Sequence, residues 1–318
     1  MNSIKKQYNY TVFGLQIRSS IPLTGFHHSV STETFDVNIN LGKIKPPKTD
    51  INDAIYLDGL IYHPTFCYLS LPDGGGQFFI KKQAEQTEVI IDFDDPAKKQ
   101  TLLAYFYGTG LSAILQLNNQ FAIHASGVII DGELVLFCGE SGVGKSTTAA
   151  YLKSKGYPLF TDDKCVLFSC KKQDQWFAHP SLQIVRLWND AIEHLPQKDF
   201  LTDPVAVVYN QEKQQFKIKS TEVVKNTPPL RKIYILSKDT EQTKIESRSL
   251  QGIEKMRHLQ EQIFRRFMVS GFQREKVLWA MISRLAMDIP VELIKRPSEG
   301  NISDFGIFIE DLLHQYSY

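Results

Sequence analysis

The chain has 318 residues, 42% of them hydrophobic and 22% charged, the make-up of a globular protein long enough for two domains. Its 36 basic and 35 acidic side chains leave a net charge of +1, so nothing global pulls it toward nucleic acid or an anionic membrane surface. No apolar run is long enough to span a bilayer, and Met1-Asn-Ser-Ile-Lys-Lys-Gln-Tyr8 lacks the apolar core of a secretion signal, so a cytoplasmic protein is expected.

The first hundred residues read as β-rich. Alternation predicts strands at 10–17 and 35–41, with further strands at 54–62, 66–71, 77–82 and 87–93. Turns such as Pro72-Asp-Gly-Gly-Gly76 separate them, which suggests a small antiparallel β domain over 1–95. Residues 96–118 read as a helix, with Asp94-Asp95-Pro96 as start signal and Leu102, Leu103 and Phe106 at helical spacing. Strands are expected at 121–130, 133–138, 157–161, 164–169, 176–178, 182–187, 205–209, 214–219 and 232–236. The tail from about 250 reads as helical, with Ile253, Met256, Leu259, Ile263 and Phe267 in register and a second run from Val277 to Met287. Residues 96–318 are read as one α/β nucleotide-binding domain that includes this helical C-terminal tail.

Between the strand at 133–138 and a helix at 147–153 lies Gly139-Glu140-Ser141-Gly142-Val143-Gly144-Lys145-Ser146-Thr147. This matches G-x-x-x-x-G-K-[ST], the phosphate-binding loop. Its backbone N–H groups wrap a nucleotide's phosphates, its lysine reaches the outer phosphates and its hydroxyl residue ligates Mg²⁺. Strand, glycine loop, helix is also the order that aims a helix N-terminus at a phosphate, and Gly156 ends the helix.

One helix later, Tyr157-Pro-Leu-Phe-Thr-Asp162-Asp163 is an apolar strand ending in two carboxylates. In a parallel arrangement this end lies beside the loop, and phosphoryl transfer needs both a metal ligand and a carboxylate facing the attacking hydroxyl. Neighbours on a strand point to opposite faces, so the two aspartates are expected to have different jobs. Upstream, His124 sits on the apolar strand Phe121-Ala-Ile-His-Ala-Ser-Gly-Val128, either as a core residue or as part of the site. Cys67, Cys138, Cys165 and Cys170 form no CxxC pair and read as reduced structural residues. Trp176, Trp188 and Trp279 read as core, and Arg265, Arg266, Arg274 and Lys276 as a solvated helix face, with a groove for an acidic or phosphorylated peptide as the alternative.

His124-Ala-Ser-Gly-Val, the loop at 139–147 and Gly156-Tyr-Pro-Leu-Phe-Thr-Asp-Asp163 together resemble the HPr serine kinase family, whose fold is related to that of phosphoenolpyruvate carboxykinase. The resemblance is strongest over 121–170 and thins by 236. Two further stretches, Tyr10-Thr-Val-Phe-Gly-Leu-Gln-Ile-Arg-Ser-Ser-Ile-Pro-Leu23 and Pro180-Ser-Leu-Gln-Ile-Val-Arg-Leu-Trp188, look like the lasso-peptide precursor kinases within it.

That resemblance implies ATP and Mg²⁺ as cofactors. It implies Lys145 and the loop amides on the phosphates, Ser146 and Asp163 on Mg²⁺, and Asp162 as the base. His124 would lie near the transferring phosphate or the acceptor, and Arg186 would balance phosphate charge. HPr kinases carry Glu-Ile-Arg-Gly near Arg186; here Ile184 and Leu187 replace the glutamate and the glycine, leaving Asp190 or Glu193 to supply a second carboxylate. The implied activity is transfer of a γ-phosphoryl group to a serine or threonine hydroxyl of a peptide or protein, a ribosomal precursor peptide first. A phosphocarrier-protein kinase, a sugar or amino-acid kinase and a non-enzymatic ATP-binding regulator are the alternatives. The partner is a peptide or protein with an acceptor serine, with no nucleic acid or membrane. Bacterial HPr kinases are hexamers, so a homo-oligomer is also open.

Overall fold

The computed structural model describes residues 6–30, 33–48, 51–93, 95–182, 184–193, 195, 197–204, 213–218, 227–298 and 302–314. In chain order it opens with strands β1 (Tyr8–Val12), β2 (Leu15–Ser19), β3 (His27–His28), β4 (Val37–Leu41), β5 (Ile55–Leu57), β6 (Leu60–His63), β7 (Phe66–Ser70), β8 (Gln77–Gln83) and β9 (Gln86–Asp92). Helices α1 (Lys99–Tyr105) and α2 (Leu111–Leu117) follow, joined by a π-helical turn at Phe106–Gly110. Next come β10 (Ala122–Ile123), β11 (Ala125–Ile130), β12 (Glu133–Gly139), α3 (Lys145–Ser154), β13 (Leu159–Thr161), β14 (Cys165–Cys170), β15 (Gln175–Ala178), β16 (Ile184–Trp188) and α4 (Asn189–Glu193). The chain continues through β17 (Leu201–Pro204), β18 (Lys213–Ile218), β19 (Leu230–Asp239), β20 (Glu246–Ser249), α5 (Gly252–Glu261), α6 (Met268–Gly271), α7 (Glu275–Asp288), β21 (Val291–Pro297) and α8 (Ile302–His314). The strand expected at 205–209 lies outside the described residues.

The chain divides into two compact units, one holding the described residues of 1–122 and 264–280, the other those of 123–205, 211–263 and 281–318. The first unit is built on a nine-stranded sheet in the order β3-β1-β2-β4-β9-β8-β7-β6-β5. It is mixed rather than antiparallel, because β4 runs parallel to both β2 and β9. Two segments read as single strands are hairpins. Phe13 (φ 54°) and Gly14 (φ 78°) turn β1 into β2, and Asp58 (φ 22°) and Gly59 (φ 73°) turn β5 into β6. Two consecutive left-handed residues match the twist of a two-residue hairpin, and an apolar Phe at the first of them hides the turn from the sequence. The helix read at 96–118 belongs to this unit, not to the nucleotide-binding one. The boundary therefore falls at 122 instead of 95: Phe106 is fully buried, its ring edge-on to Phe78 of β8 at 5.8 Å, and α2 packs on β7 and β8.

The second unit has a six-stranded sheet ordered β13-β11-β12-β19-β21-β20. β12, β19 and β21 are mutually parallel, while β11 is antiparallel to both β12 and β13. The C-terminal ends of β12, β13, β19 and β21 and the N-terminal end of β11 therefore share one edge. Leu134 to Cys138 of β12 are all buried, as a central parallel strand requires. Val135, Phe137, Tyr234 and Ile294 form a core with Ala149 and Leu152 of α3 and Phe305 and Ile309 of α8. β16, β17 and β18 form a separate three-stranded sheet, whose Val185, Leu187 and Phe216 join that core. The tail is helical only in part. β21 lies inside the sheet, hidden in the sequence because Ile289-Pro290 reads as the end of a helix rather than the start of a strand.

Candidate active site

The loop at 139–144 leaves the sheet at the shared edge. Gly139 has φ 132°, and a Cβ there would lie 2.4 Å from the Leu236 carbonyl oxygen of β19, so no other residue fits. Gly144 (φ 109°) turns the chain into α3, whose first residue is Lys145 and whose first turn carries no acidic side chain. An anion at this N-terminus meets helix amides for which no acidic side chain of the helix's own first turn competes. Lys145 is 5% exposed, and its Nζ donates to the carbonyls of Gly139 and Glu140, both at 2.9 Å, spanning its own loop. From behind, Arg296 Nη2 donates to the Val143 carbonyl at 3.0 Å, and Gly139 N–H donates to Gln262 Oε1 at 2.7 Å.

β13 runs in the same direction as β12 but does not touch it, since β11 lies between them. Its end still reaches the loop. Asp162 is 5% exposed; its Oδ1 accepts from Ser126 Oγ at 2.6 Å, and its Oδ2 accepts from the Arg186 main-chain N–H at 2.8 Å. The Ser146 hydroxyl of the loop also donates to it. Burial pushes the Asp162 carboxyl up, and those three donors oppose the shift without cancelling it.

Asp163 stands in a different environment. The strand has ended, and Asp163 takes a left-handed backbone (φ 70°). The side chain is 19% exposed, with Lys164 Nζ and Arg186 Nη1 (3.3 Å) on Oδ2 and His124 Nε2 3.7 Å from Oδ1. Burial alone would raise this carboxyl, but Lys164, Arg186 and His124 outweigh it and hold the group well below the usual carboxylate range.

The residues singled out in the sequence thus lie at one sheet edge: the loop Gly139–Thr147 with Lys145 and Ser146, then Asp162, Asp163, His124 and Arg186. Arg186 touches both aspartates, one through its backbone and one through its guanidinium. Three participants were not singled out. Lys164 is 2% exposed on Asp163, Ser126 is fully buried on Asp162, and Gln262 accepts from His124 N–H through its carbonyl (2.7 Å) as well as from the loop. Lys164 was legible, since it directly follows the aspartates, and so was Ser126, two residues along the strand from His124. Of the two carboxylates suggested on α4, the Asp190 side chain lies outside the described residues and Glu193 is exposed. Arg265, Arg266, Arg274 and Lys276 belong to the other compact unit. Trp176 is core, with Nε1 donating to Asp288 at 2.8 Å, but Trp279 is 46% exposed, because it lies on an outward face of α7.

Among the described residues no group of three or more His, Cys, Asp or Glu side chains could hold a metal. One hydroxyl and one carboxylate beside a phosphate loop, Ser146 and Asp162, fit Mg²⁺, which takes few protein ligands and completes its shell with phosphate oxygens and water. Among the same residues no helix is long and apolar enough to cross a membrane.

No family model matches the chain, and no curated protein matches it. Among solved structures, the HPr(Ser) kinase/phosphatase from Coxiella burnetii is similar over 61% of this chain and 95% of its own, at 16% identity and a TM-score of 0.34. At that score it carries no argument for fold or activity. The chain itself is a mixed α/β protein with several sheets.

Proposed function

We propose that this protein is an ATP- and Mg²⁺-dependent phosphotransferase that phosphorylates a serine or threonine hydroxyl on a peptide or protein. The carrying observation is the meeting, at one sheet edge, of the Lys145–Ser146 loop with two carboxylates in opposite electrostatic states. The loop amides and Lys145 hold the β- and γ-phosphates. The allocation of the aspartates favoured by the geometry reverses the one read from the sequence. Asp162, buried and bonded to Ser146, belongs to the metal side; Asp163, partly exposed and ionised between His124 and Arg186, faces the acceptor. Ser146 and Asp162 would hold Mg²⁺, which would neutralise charge on the phosphates.

In the reaction the acceptor oxygen bonds to the γ-phosphorus, the bond from that phosphorus to the β–γ bridging oxygen breaks, and ADP leaves. Asp163 orients the hydroxyl and takes its proton late, as suits a weak base in a loose transition state. His124 and Arg186 steady the carboxylate and the transferring charge. A precursor peptide in a tailoring pathway is the favoured acceptor, supported by the sequence resemblance at 10–23 and 180–188.

Mass spectrometry of acceptors incubated with the protein and Mg-ATP tests this, with serine-ended peptides, a phosphocarrier protein and a pool of sugars and amino acids offered side by side. Phosphoryl gain on a peptide or protein, lost in Lys145→Ala, is the expected result. Gain only on a metabolite makes it a small-molecule kinase. Binding of ATP with no transfer to any acceptor favours a nucleotide-dependent regulator.

A further inference from the structure

The stretch Phe264–Ala280 belongs to the first compact unit and carries four cations, Arg265, Arg266, Arg274 and Lys276, against one acid, Glu275. Among the described residues no carboxylate lies within 4.0 Å of any of the four. The ionisable groups on the neighbouring elements do not fill that role. His63 of β6 is stacked on Phe66 with its Nδ1 on the Thr65 hydroxyl, and Asp53 and Asp58, on either side of β5, make no ion pair with the stretch. By contrast, Arg231, Arg248 and Arg284 each meet a carboxylate.

Aromatic side chains interrupt these cations. Phe267 is 43% and Trp279 46% exposed, and Trp279 lies one turn from Lys276 on α7. Arg265 is fixed from several directions. It takes a left-handed backbone (φ 55°), which residues other than glycine adopt rarely and at a cost. Its carbonyl accepts from Gln116 Nε2 at 3.3 Å, and its guanidinium lies over the rings of Phe264 and Phe267, at 5.7 and 5.9 Å. Gly108 of the π-helical turn borders it, where a Cβ would lie 3.6 Å from Nη2. Arg274 is anchored without being neutralised: Nη1 donates to the Phe272 carbonyl at 2.7 Å, and Nη2 to that of Pro64 at 3.5 Å. Guanidinium groups set in place without a carboxylate of their own suit carboxylates brought from outside, and the rings between them suit an apolar side chain.

Resting on the peptide-kinase reading above, we propose that this surface docks an acidic segment of the acceptor peptide or protein, apart from the residue that takes the phosphoryl group. Carboxylates of that segment pair with Arg265, Arg266 and Lys276, and an apolar side chain among them covers Phe267. An anionic membrane or a nucleic acid also meets cations and rings, but a net charge of +1 gives the chain no long-range attraction to such polyanions.

Anisotropy titration of the full-length chain with short labelled peptides, differing only in how many glutamates flank one leucine, tests this. Affinity is expected to rise with glutamate content and to fall with salt. Arg266→Glu combined with Lys276→Glu, both at exposed positions, is expected to weaken the most acidic peptide about tenfold or more and to leave Mg-ATP affinity unchanged. Arg265→Asn, which accepts the left-handed backbone, is expected to weaken the same peptide. Affinity indifferent to glutamate content, or a double variant that binds as the wild type does, would overturn the docking surface. Tighter binding of phosphatidylserine vesicles or single-stranded RNA, lost in the double variant, overturns it in favour of a membrane or nucleic-acid face. Phosphoryl transfer to a peptide with KM unmoved in the double variant overturns it and leaves the kinase reading standing. Peptide binding as expected without Mg-ATP binding does the reverse: the kinase reading fails, and with it the assignment of the acidic segment to an acceptor.

Discussion

Asp162 and Asp163 are adjacent in sequence and opposite in electrostatics, and that contrast is the sharpest handle on mechanism. If Asp163 is the acceptor-side carboxylate, Asp163→Asn keeps Mg-ATP affinity and loses about 10²–10⁴ in rate, the range for a general base. Asp162→Asn instead weakens Mg-ATP binding, because it alters the carboxylate on Ser146. Single-turnover rates beside calorimetric affinities decide between them, and the opposite pattern restores Asp162 as the base. Lys164 gives an independent check through pH. A carboxyl held below its ordinary range keeps its charge, and the contacts that depend on it, until pH falls through the lowered value. Lys164→Met removes the first of the charges holding it down, so the acid limb of kcat/KM moves to higher pH by roughly 1–3 units. Activity near pH 8 changes little. An acid limb that stays in place would mean that Asp163 is not the group titrating there.

The elements that build this site differ in how far the sequence reveals them, and the reason is the range of the contacts that fix each one. The loop is legible because its requirements are local: positive φ at Gly139 and Gly144, a lysine and a hydroxyl at the start of the helix. The carboxylates are legible as a strand end, with Lys164 next to them in the chain, but their roles are not, since these also depend on Ser126 and Arg186, which only the folded chain brings into contact. Gln262 is the extreme case. It stands 123 residues from Gly139, at the end of α5, with no motif around it, yet its side chain satisfies the first amide of the loop and its carbonyl satisfies His124 N–H. Gln262→Leu leaves the Gly139 N–H without its acceptor, which costs about 1–3 kcal/mol. Urea denaturation should show that loss as a lower midpoint with an unchanged slope, and Mg-ATP binding should weaken alongside it. A variant as stable as the wild type would mean that the loop amide finds another partner.

At the scale of the whole molecule, the two compact units are not two consecutive stretches of chain that could be cut apart. The residues at 264–280 sit late in the sequence but belong to the β-rich unit. There the Tyr62 ring lies so close to Gly271 that an added Cβ would fall 2.1 Å from it. Phe267 and Phe272 lie 6.1 and 6.0 Å from the same ring, and Arg274 Nη2 reaches the Pro64 carbonyl at 3.5 Å. A chain cut back to begin at Ile123 keeps this late segment and discards what it packs on. Met268 and Phe272, both fully buried in the intact protein, then lose cover, at about 1.5–3 kcal/mol each. Set against a total stability of about 5–15 kcal/mol, that loss, with the Tyr62 and Pro64 contacts added, is enough to unfold the segment and to disturb α5 just before it. Because Gln262, the residue that caps α5, holds Gly139, the damage travels to the loop. The truncated chain is therefore expected to melt well below the intact one and to bind Mg-ATP poorly. A reading of 1–95 as a separable acceptor-binding domain predicts the reverse, intact ATP binding with only acceptor recognition lost, and thermal melts with and without Mg-ATP distinguish the two.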